Sequence, residues 1–342
     1  MTTMSKPVRW GVLGAAQIAV NRAIPAMQAA ENCEVVAIAS RSLDKAQGVA
    51  TALGIPRAYG SYQELIDDPD VEAVYIPLPN TLHVEWSAKA MAAGKHALCE
   101  KPIAMNAAEA ETLITAREAA GLLIEEGFPF VNHPQWAYIR ETLRNGAIGR
   151  PRVVTGVLAY NNVNPDDLRN DPTAGGGGLY DIGCYLIKAA RIAFGEEPVR
   201  AIGLFEDDPV FGVDRLTSFL LQFPSGHANL TVTTQGGPMT GGTHQHFGVV
   251  GERGWLRAEF PFSHSTPTEC SVFLGNELSR GSIPTHEERF PIVNQYQRQA
   301  ERFSRLVRGE DAEAWPIENG VANMRVIDAL FRSRDSGRWD AV

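Results

Sequence analysis

The chain has 342 residues, 44% of them hydrophobic, and a formal net charge of −9. That length and apolar content suit two domains, while the acidic balance and singly scattered lysines and arginines exclude the clustered cations a nucleic acid needs. No apolar run approaches the about 18 residues of a membrane-spanning helix, so no membrane role is expected. Met1-Thr2-Thr3-Met4-Ser5-Lys6-Pro7 leads straight into an apolar strand without the architecture of a secretion signal, and a cytoplasmic location is expected. Cys33, Cys99, Cys184 and Cys270 are widely spaced and form no metal-binding pair, so they read as isolated reduced thiols and no metal is expected.

In chain order, short apolar runs alternate with helical spacing over the first third. Val8–Leu13, Val35–Ala39, Ala73–Ile76, His96–Leu98 and Leu122–Ile124 read as strands. Ile18–Ala29, Ser42–Leu53, Thr81–Ala93 and Ala107–Ala119 read as helices, with Ser42 and Asn106 as caps. The alternation predicts a doubly wound parallel sheet, the Rossmann arrangement, over residues 1–125.

After about Pro151 longer alternating strands follow at Val153–Tyr160, Arg200–Glu206, Thr217–Phe223 and Ala228–Gln235. Residues 126–342 therefore read as an α+β domain on a large, mostly antiparallel open sheet, which binds substrate and dimerises. The run Gly175–Gly178 leads into an apolar helix from about Leu179 to Phe194 that covers one sheet face. Tyr296–Val307 and Glu318–Arg332 read as amphipathic helices that return to the first domain. One helix cannot hide both faces of such a sheet, so a homodimer or a dimer of dimers is expected.

The first turn, Gly11-Val12-Leu13-Gly14-Ala15-Ala16-Gln17-Ile18-Ala19, is a relaxed G-x-G-x-x-G fingerprint. Gly14 keeps the first glycine, and Ala16 and Ala19 add only a methyl where a pyrophosphate approaches a helix N-terminus. The end of the second strand, Ala39-Ser40-Arg41-Ser42, lacks the acid that usually meets a ribose 2′-hydroxyl. Ser40, the forked guanidinium of Arg41, and Lys45 one turn on suit a 2′-phosphate, which points to NADP. The competing reading is that Ser42 simply caps the helix while Arg41 faces water.

Lys101 closes the strand at His96-Ala97-Leu98-Cys99-Glu100, at the sheet edge where open α/β folds bind ligands. Asp181 and Tyr185 follow the glycine run at helical i, i+4 spacing. An ammonium beside a phenol would lower its pKa from about 10 toward about 7, making tyrosine a usable acid and base, while Asp181 orients the substrate or the lysine. Alternatively Asp181 is a cap and Tyr185 a half-buried core residue.

Gly14-Ala15-Ala16-Gln17-Ile18-Ala19, Pro79-Asn80-Thr81-Leu82-His83, Glu100-Lys101-Pro102 and Gly175 to Tyr185 together resemble the Gfo/Idh/MocA oxidoreductase family. The resemblance implies catalytic roles for Lys101, Asp181 and Tyr185. It implies NADP contacts at Gly14, Ala16, Gln17, Ile18, Ser40, Arg41, Lys45, Leu78, Pro79, Asn80, His83, Glu100, Lys101, Arg169 and Tyr185. It also implies that Pro102 follows a cis bond. Tyr185, where other branches carry His, is similar to the glucose-fructose oxidoreductase, aldose-aldose oxidoreductase, xylose dehydrogenase and dihydrodiol dehydrogenase branch. Two departures are Leu168 in place of a frequent Trp and Val131 in place of a frequent Arg.

The expected function is therefore NADP-dependent hydride transfer between the nicotinamide and C1 of a cyclic aldose, giving the aldonolactone. Retained NADP could be reoxidised by a second sugar, as in an aldose-aldose or aldose-ketose oxidoreductase. The alternatives are a non-catalytic NADP-binding regulator of a sugar pathway and a dihydrodiol or keto-sugar dehydrogenase. Tyr160, His244, His246 and Tyr296 could line a sugar pocket, the competing reading being ordinary core or loop positions.

Overall fold

A computed structural model describes residues 6–237, 242–262, 269–276, 278–279 and 281–342. The expectation drawn from the first residues of the chain falls on residues 1–5, outside the described ones. The chain divides into two compact units. The first runs to Pro129 and adds Asn294–Val321; the second takes Phe130–Val293 and Ala322–Val342.

The first unit is built on six parallel strands: β1 (Val8–Leu13), β2 (Cys33–Ala39), β3 (Arg57–Tyr59), β4 (Ala73–Ile76), β5 (His96–Glu100) and β6 (Ile124–Gly127), in the order β3-β2-β1-β4-β5-β6. Because all run the same way, their carboxyl ends share one edge, and the order reverses between β1 and β4, where such sheets open a crevice. Val8, Val12, Ala73, Tyr75 and Leu98 belong to one buried cluster with Phe303 of the helix Gln295–Val307. Trp10 seals it, its ring 5.4 Å from Phe303 and its N–H donating to the Ser304 hydroxyl at 3.1 Å.

Three local differences from the sequence reading have physical causes. The helix expected at Ile18–Ala29 is a π-turn, Ala19–Ala23, followed by an α-helix, Ile24–Gln28. Ile24 donates to the Ala19 carbonyl five residues back, and Pro25, lacking an N–H, cannot restore the narrower register. The last strand is displaced from Leu122–Ile124 to Ile124–Gly127 because its acids are buried with partners. Arg302 pairs with Glu125, and Glu126 Oε1 accepts the Ile103 N–H at 3.0 Å. Strand β3 and the short helix Tyr62–Ile66 carry too few apolar residues to announce themselves.

Among its described residues the second unit holds nine strands: β7 (Pro151–Ala159), β8 (Arg200–Asp207), β9 (Asp214–Gln222), β10 (His227–Thr233), β11 (His244–Gly251), β12 (Gly254–Ala258), β13 (Cys270–Asn276), β14 (His286–Phe290) and β15 (Asp340–Ala341). Their order is β14-β13-β12-β11-β7-β10-β9-β8-β15, and the one parallel pair among them is β7 with β10. The helix Cys184–Phe194 packs on one face of this sheet, where a Cβ at Gly156 would stand 2.8 Å from Leu186 and 3.0 Å from Leu230. The alternate positions Val153, Leu204, Leu220 and Val250 remain exposed. The last helix, Ile317–Ser336, does not return wholly to the first unit. From Ala322 on it belongs to the second unit, where Asn323 donates to the Cys184 carbonyl at 3.1 Å and Phe331 packs on Tyr180.

Candidate functional site

In the first unit, the expected cofactor residues gather at the carboxyl edge of the parallel sheet. Gly14 follows β1 with a φ of 114°, a conformation that disfavours any side chain, and a Cβ there would also stand 3.0 Å from Leu78. Its N–H donates to the Ala39 carbonyl at 2.8 Å, tying the first turn to the end of β2. Ala16 is half-buried, Gln17 exposed, and no side chain caps the π-turn that begins after Ile18. A turn of small residues with no side-chain cap at the helix start suits the approach of a pyrophosphate, so the residues present fit a dinucleotide.

At the end of β2, Ser40 is buried while Arg41 and Lys45 are exposed. Ser42 caps the helix Leu43–Leu53, accepting the Lys45 N–H at 3.3 Å. The capping reading of Ser42 is thus realised, and it leaves the side chains of Arg41 and Lys45 at the surface. The guanidinium of Arg41 bonds the Tyr62 phenol, opposing the upward push that burial gives that phenol.

Past β4 the chain turns through Leu78, Pro79 and Asn80 into a 3₁₀ turn, Asn80–Leu82. His83 is fully buried, with Nδ1 2.7 Å from the Pro102 carbonyl and Nε2 2.8 Å from the Leu78 carbonyl. Burial, with a contribution from the Lys101 ammonium, pushes the imidazole down to about 4 against the two carbonyls that raise it. The neutral ring has one N–H and donates to one of these carbonyls at a time, and the cofactor contact expected of His83 stays an expectation. His83 ties the β4 turn to the lysine turn. Lys101 follows β5, is partly exposed, and forms a cis bond with Pro102. Glu100 is a brace: its Oε1 accepts the Tyr75 hydroxyl at 2.7 Å and its Oε2 the Lys101 N–H at 3.3 Å.

In the second unit, Asp181 lies in a π-turn, Leu179–Gly183, rather than in the α-helix expected there, and the α-helix starts at Cys184. Asp181 Oδ2 accepts the Tyr160 hydroxyl at 2.6 Å, and Oδ1 accepts the Arg169 Nε–H at 3.2 Å. Arg169 also donates to Asp167 at 3.2 Å. Burial and then Asp181 drive the Tyr160 phenol well above its ordinary range, and the Asp181 carboxylate holds the Arg169 guanidinium more firmly charged. A carboxylate with both oxygens engaged by a phenol and a cation orients its neighbours and is poorly suited to taking a proton. Tyr185 is 9% exposed, its ring 5.6 Å from Phe130 and 6.1 Å from Phe262.

Residues 8–128 match the model of the oxidoreductase family with an NAD-binding Rossmann fold, and residues 136–257 match the Gfo/Idh/MocA C-terminal domain. The chain belongs to the Gfo/Idh/MocA oxidoreductase family. It is 35% identical to a D-xylose 1-dehydrogenase (NADP(+)) of Haloferax volcanii over 96% of this chain and 98% of that one. Among solved structures it resembles KijD10, a 3-ketoreductase of Actinomadura kijaniata in complex with NADP and TDP-benzene, with a TM-score of 0.85 and 30% identity, covering 96% of this chain and 98% of that one. It also resembles the aldose-aldose oxidoreductase of Caulobacter crescentus complexed with glycerol, with a TM-score of 0.86 and 25% identity over 98% and 100% of the two chains. NADP is thus the nucleotide that this xylose dehydrogenase uses and that accompanies this ketoreductase.

Within this Gfo/Idh/MocA chain the remaining expected residues lie on several elements of the two units. Val131 is buried, and its carbonyl accepts from Arg140, nine residues on, at 3.3 Å. Leu168 is exposed. His244 opens β11 opposite Ala159, and His246 bonds Thr155 at 3.2 Å across the sheet. Tyr296 packs against the apolar core of the first unit, whereas Tyr160 and His244 belong to the second. Sequence reading missed the bond from Tyr160 to Asp181 and the buried acid Asp214 behind the glycine run. Four successive glycines signal a close approach of other atoms, but not which ones. Among the described residues no helix is long and apolar enough to cross a membrane and no cluster of metal-binding side chains occurs.

Proposed function

We propose that this chain is an NADP-dependent sugar oxidoreductase that oxidises a cyclic aldose at C1 to the aldonolactone. Gly14, Ala16, Gln17 and Ile18 receive the pyrophosphate, Ser40, Arg41 and Lys45 the 2′-phosphate, and Leu78, Pro79 and Asn80 the neighbouring nucleotide. When bound, the nicotinamide supplies the redox chemistry. Tyr185 removes the anomeric hydroxyl proton, Lys101 stabilises the phenolate, and Asp181 and Arg169 orient the sugar. The observation that supports this reading most is the double engagement of Asp181 by Tyr160 and Arg169, which suits that acid to orientation rather than to taking the proton.

The same residues run the reaction in reverse if Tyr185 gives its proton to a ketone. The likeness to a 3-ketoreductase favours a keto-sugar linked to a nucleotide as the second reading. Purified protein given NADP and D-xylose or D-glucose should show growing absorbance of the reduced nicotinamide. No change with any aldose, together with NADPH consumption on a nucleotide-linked keto-sugar, would transfer the assignment to the second reading. A change on adding sugar without added NADP would show that the protein retains the nucleotide. The exposed apolar positions Val153, Leu204, Leu220 and Val250 support a homodimer formed through the open sheet face. Sedimentation as a monomer at micromolar concentration would refute that.

A further inference from the structure

Strand β9 opens on an acid that the proposed reaction does not use. Asp214 is 3% exposed, and its Oδ2 accepts the Leu179 N–H at 2.8 Å and the Thr217 hydroxyl at 2.7 Å. Leu179 is the first residue of the π-turn that carries Asp181, and Tyr185 follows in the α-helix that continues it. A helix start leaves N–H groups without intrahelical acceptors, and Gly178 at the cap has no side chain to supply one. A carboxylate from a strand 35 residues on supplies it instead.

The glycine run is shaped around this carboxylate. Gly177 has a φ of 116°, and a Cβ on it would stand 2.2 Å from Asp214 Oδ1. One on Gly178 would stand 3.3 Å from both Oδ2 and the Asp214 carbonyl. A Cβ on Gly176 would meet the Arg169 carbonyl at 2.5 Å. The run therefore brings two things close: the loop bearing Arg169, and the acid under the helix start.

We propose that Asp214 is a positioning residue for proton transfer: by holding the Leu179 N–H it fixes the turn on which Asp181 and Tyr185 are placed. The proposal rests on the reading of Tyr185 as the acid and base. The charged groups that act on Asp214 are Asp207 and Arg334, which also pair with each other, so no cation is dedicated to it. Burial raises the carboxyl to about 6, in keeping with a group whose bonds to neutral donors hold it in place.

The experiment compares Asp214→Ala, Asp214→Asn and Gly177→Ala, each assayed for kcat, KM for NADP and the pH dependence of kcat. Asp214→Ala strips the acceptor, and Gly177→Ala displaces it while keeping it in the chain. Each should lower kcat by about tenfold or more and move the apparent pKa of the basic group, with KM for NADP unchanged. Asp214→Asn keeps an oxygen for the Leu179 N–H and should stay within about threefold of the parent. A merely structural acid would scale kcat through the folded fraction without moving the pH profile. An unaltered profile in folded Asp214→Ala and Gly177→Ala overturns the proposal; if Asp214→Ala does not fold, Gly177→Ala alone decides. Should Tyr185→Phe retain full activity, the reading of the reaction fails instead. Amide exchange across 179–185 then still tests the seat: it should quicken in the Asp214→Ala and Gly177→Ala proteins, and unchanged exchange contradicts it.

Discussion

Two glycine-bearing turns, one in each unit, both lead into a π-turn and then an α-helix, yet they use their glycines differently. At Gly14 the constraint is conformational: a φ of 114° and the Leu78 side chain leave no place for a Cβ, and no side chain caps the helix start that follows. At Gly176 and Gly177 the obstacles are oxygens, the Arg169 carbonyl and the Asp214 carboxylate, and Asp214 takes the first helical N–H. No side chain caps the helix start at the first turn, whereas the second is capped by the carboxylate of Asp214. On the proposed reading, like glycine patterns serve binding in one case and positioning in the other, and the atoms a Cβ would meet tell them apart.

The largest effect that would sharpen this contrast is on the second turn. Tyr185→Phe should lower kcat by about 10²- to 10⁴-fold while the dissociation constant for NADP, read by fluorescence titration, stays at the parent value. A loss of nucleotide binding in that variant would blur the division between the turns. Next, Gly14→Val should weaken NADP binding by at least about tenfold, since a branched side chain at that φ is strained. Binding equal to the parent would show that the open turn is not the pyrophosphate site. Smaller again, Arg41→Ala should weaken NADP by about tenfold and leave NAD binding unaltered, measured side by side by calorimetry; equal losses for both nucleotides would remove Arg41 from the 2′-phosphate.

The smallest effects are on stability against pH, and the two units differ in sign. Asp214 in the second unit is raised from its ordinary 3.8 to about 6, so over that window the native state holds more protons than the unfolded one. Its contribution to unfolding free energy therefore grows as pH falls from about 6 toward 3.8. Glu72 in the first unit, bonded to Arg308 and Arg9, is lowered from 4.5 to about 2. It stabilises above 4.5, and that stabilisation is lost as pH falls through about 2. Urea unfolding between pH 4 and 7 should show the parent gaining on Asp214→Asn toward acid; parallel curves would contradict the assignment.

Much of the first unit was legible because its strands are apolar runs separated by capped helices, with Ser42 and Asn106 capping where expected. Strand β6 was misplaced because Glu125 and Glu126 look like loop residues until Arg302 and the Ile103 N–H are brought to them. Strands β11 to β15 escaped because they are short or mixed in polarity and are held mainly by their neighbours in the sheet. At the candidate site, Lys101, Asp181 and Tyr185 stood out by residue type and spacing. His83 did not reveal its backbone partners: a histidine after a turn gives no sign in the sequence of the two carbonyls it meets. Tyr160 and Asp214 act through partners 21 and 35 residues away, a relation no local pattern encodes.

The claim on which the functional account rests is that the ammonium of Lys101 tunes the phenol of Tyr185, and the pH dependence of kcat in Lys101→Met tests it most directly. The apparent pKa of the group that must lose its proton should climb toward the ordinary phenol value of about 10, with activity at neutral pH falling accordingly. A Lys101→Met enzyme whose pH profile superimposes on the parent's would contradict the account.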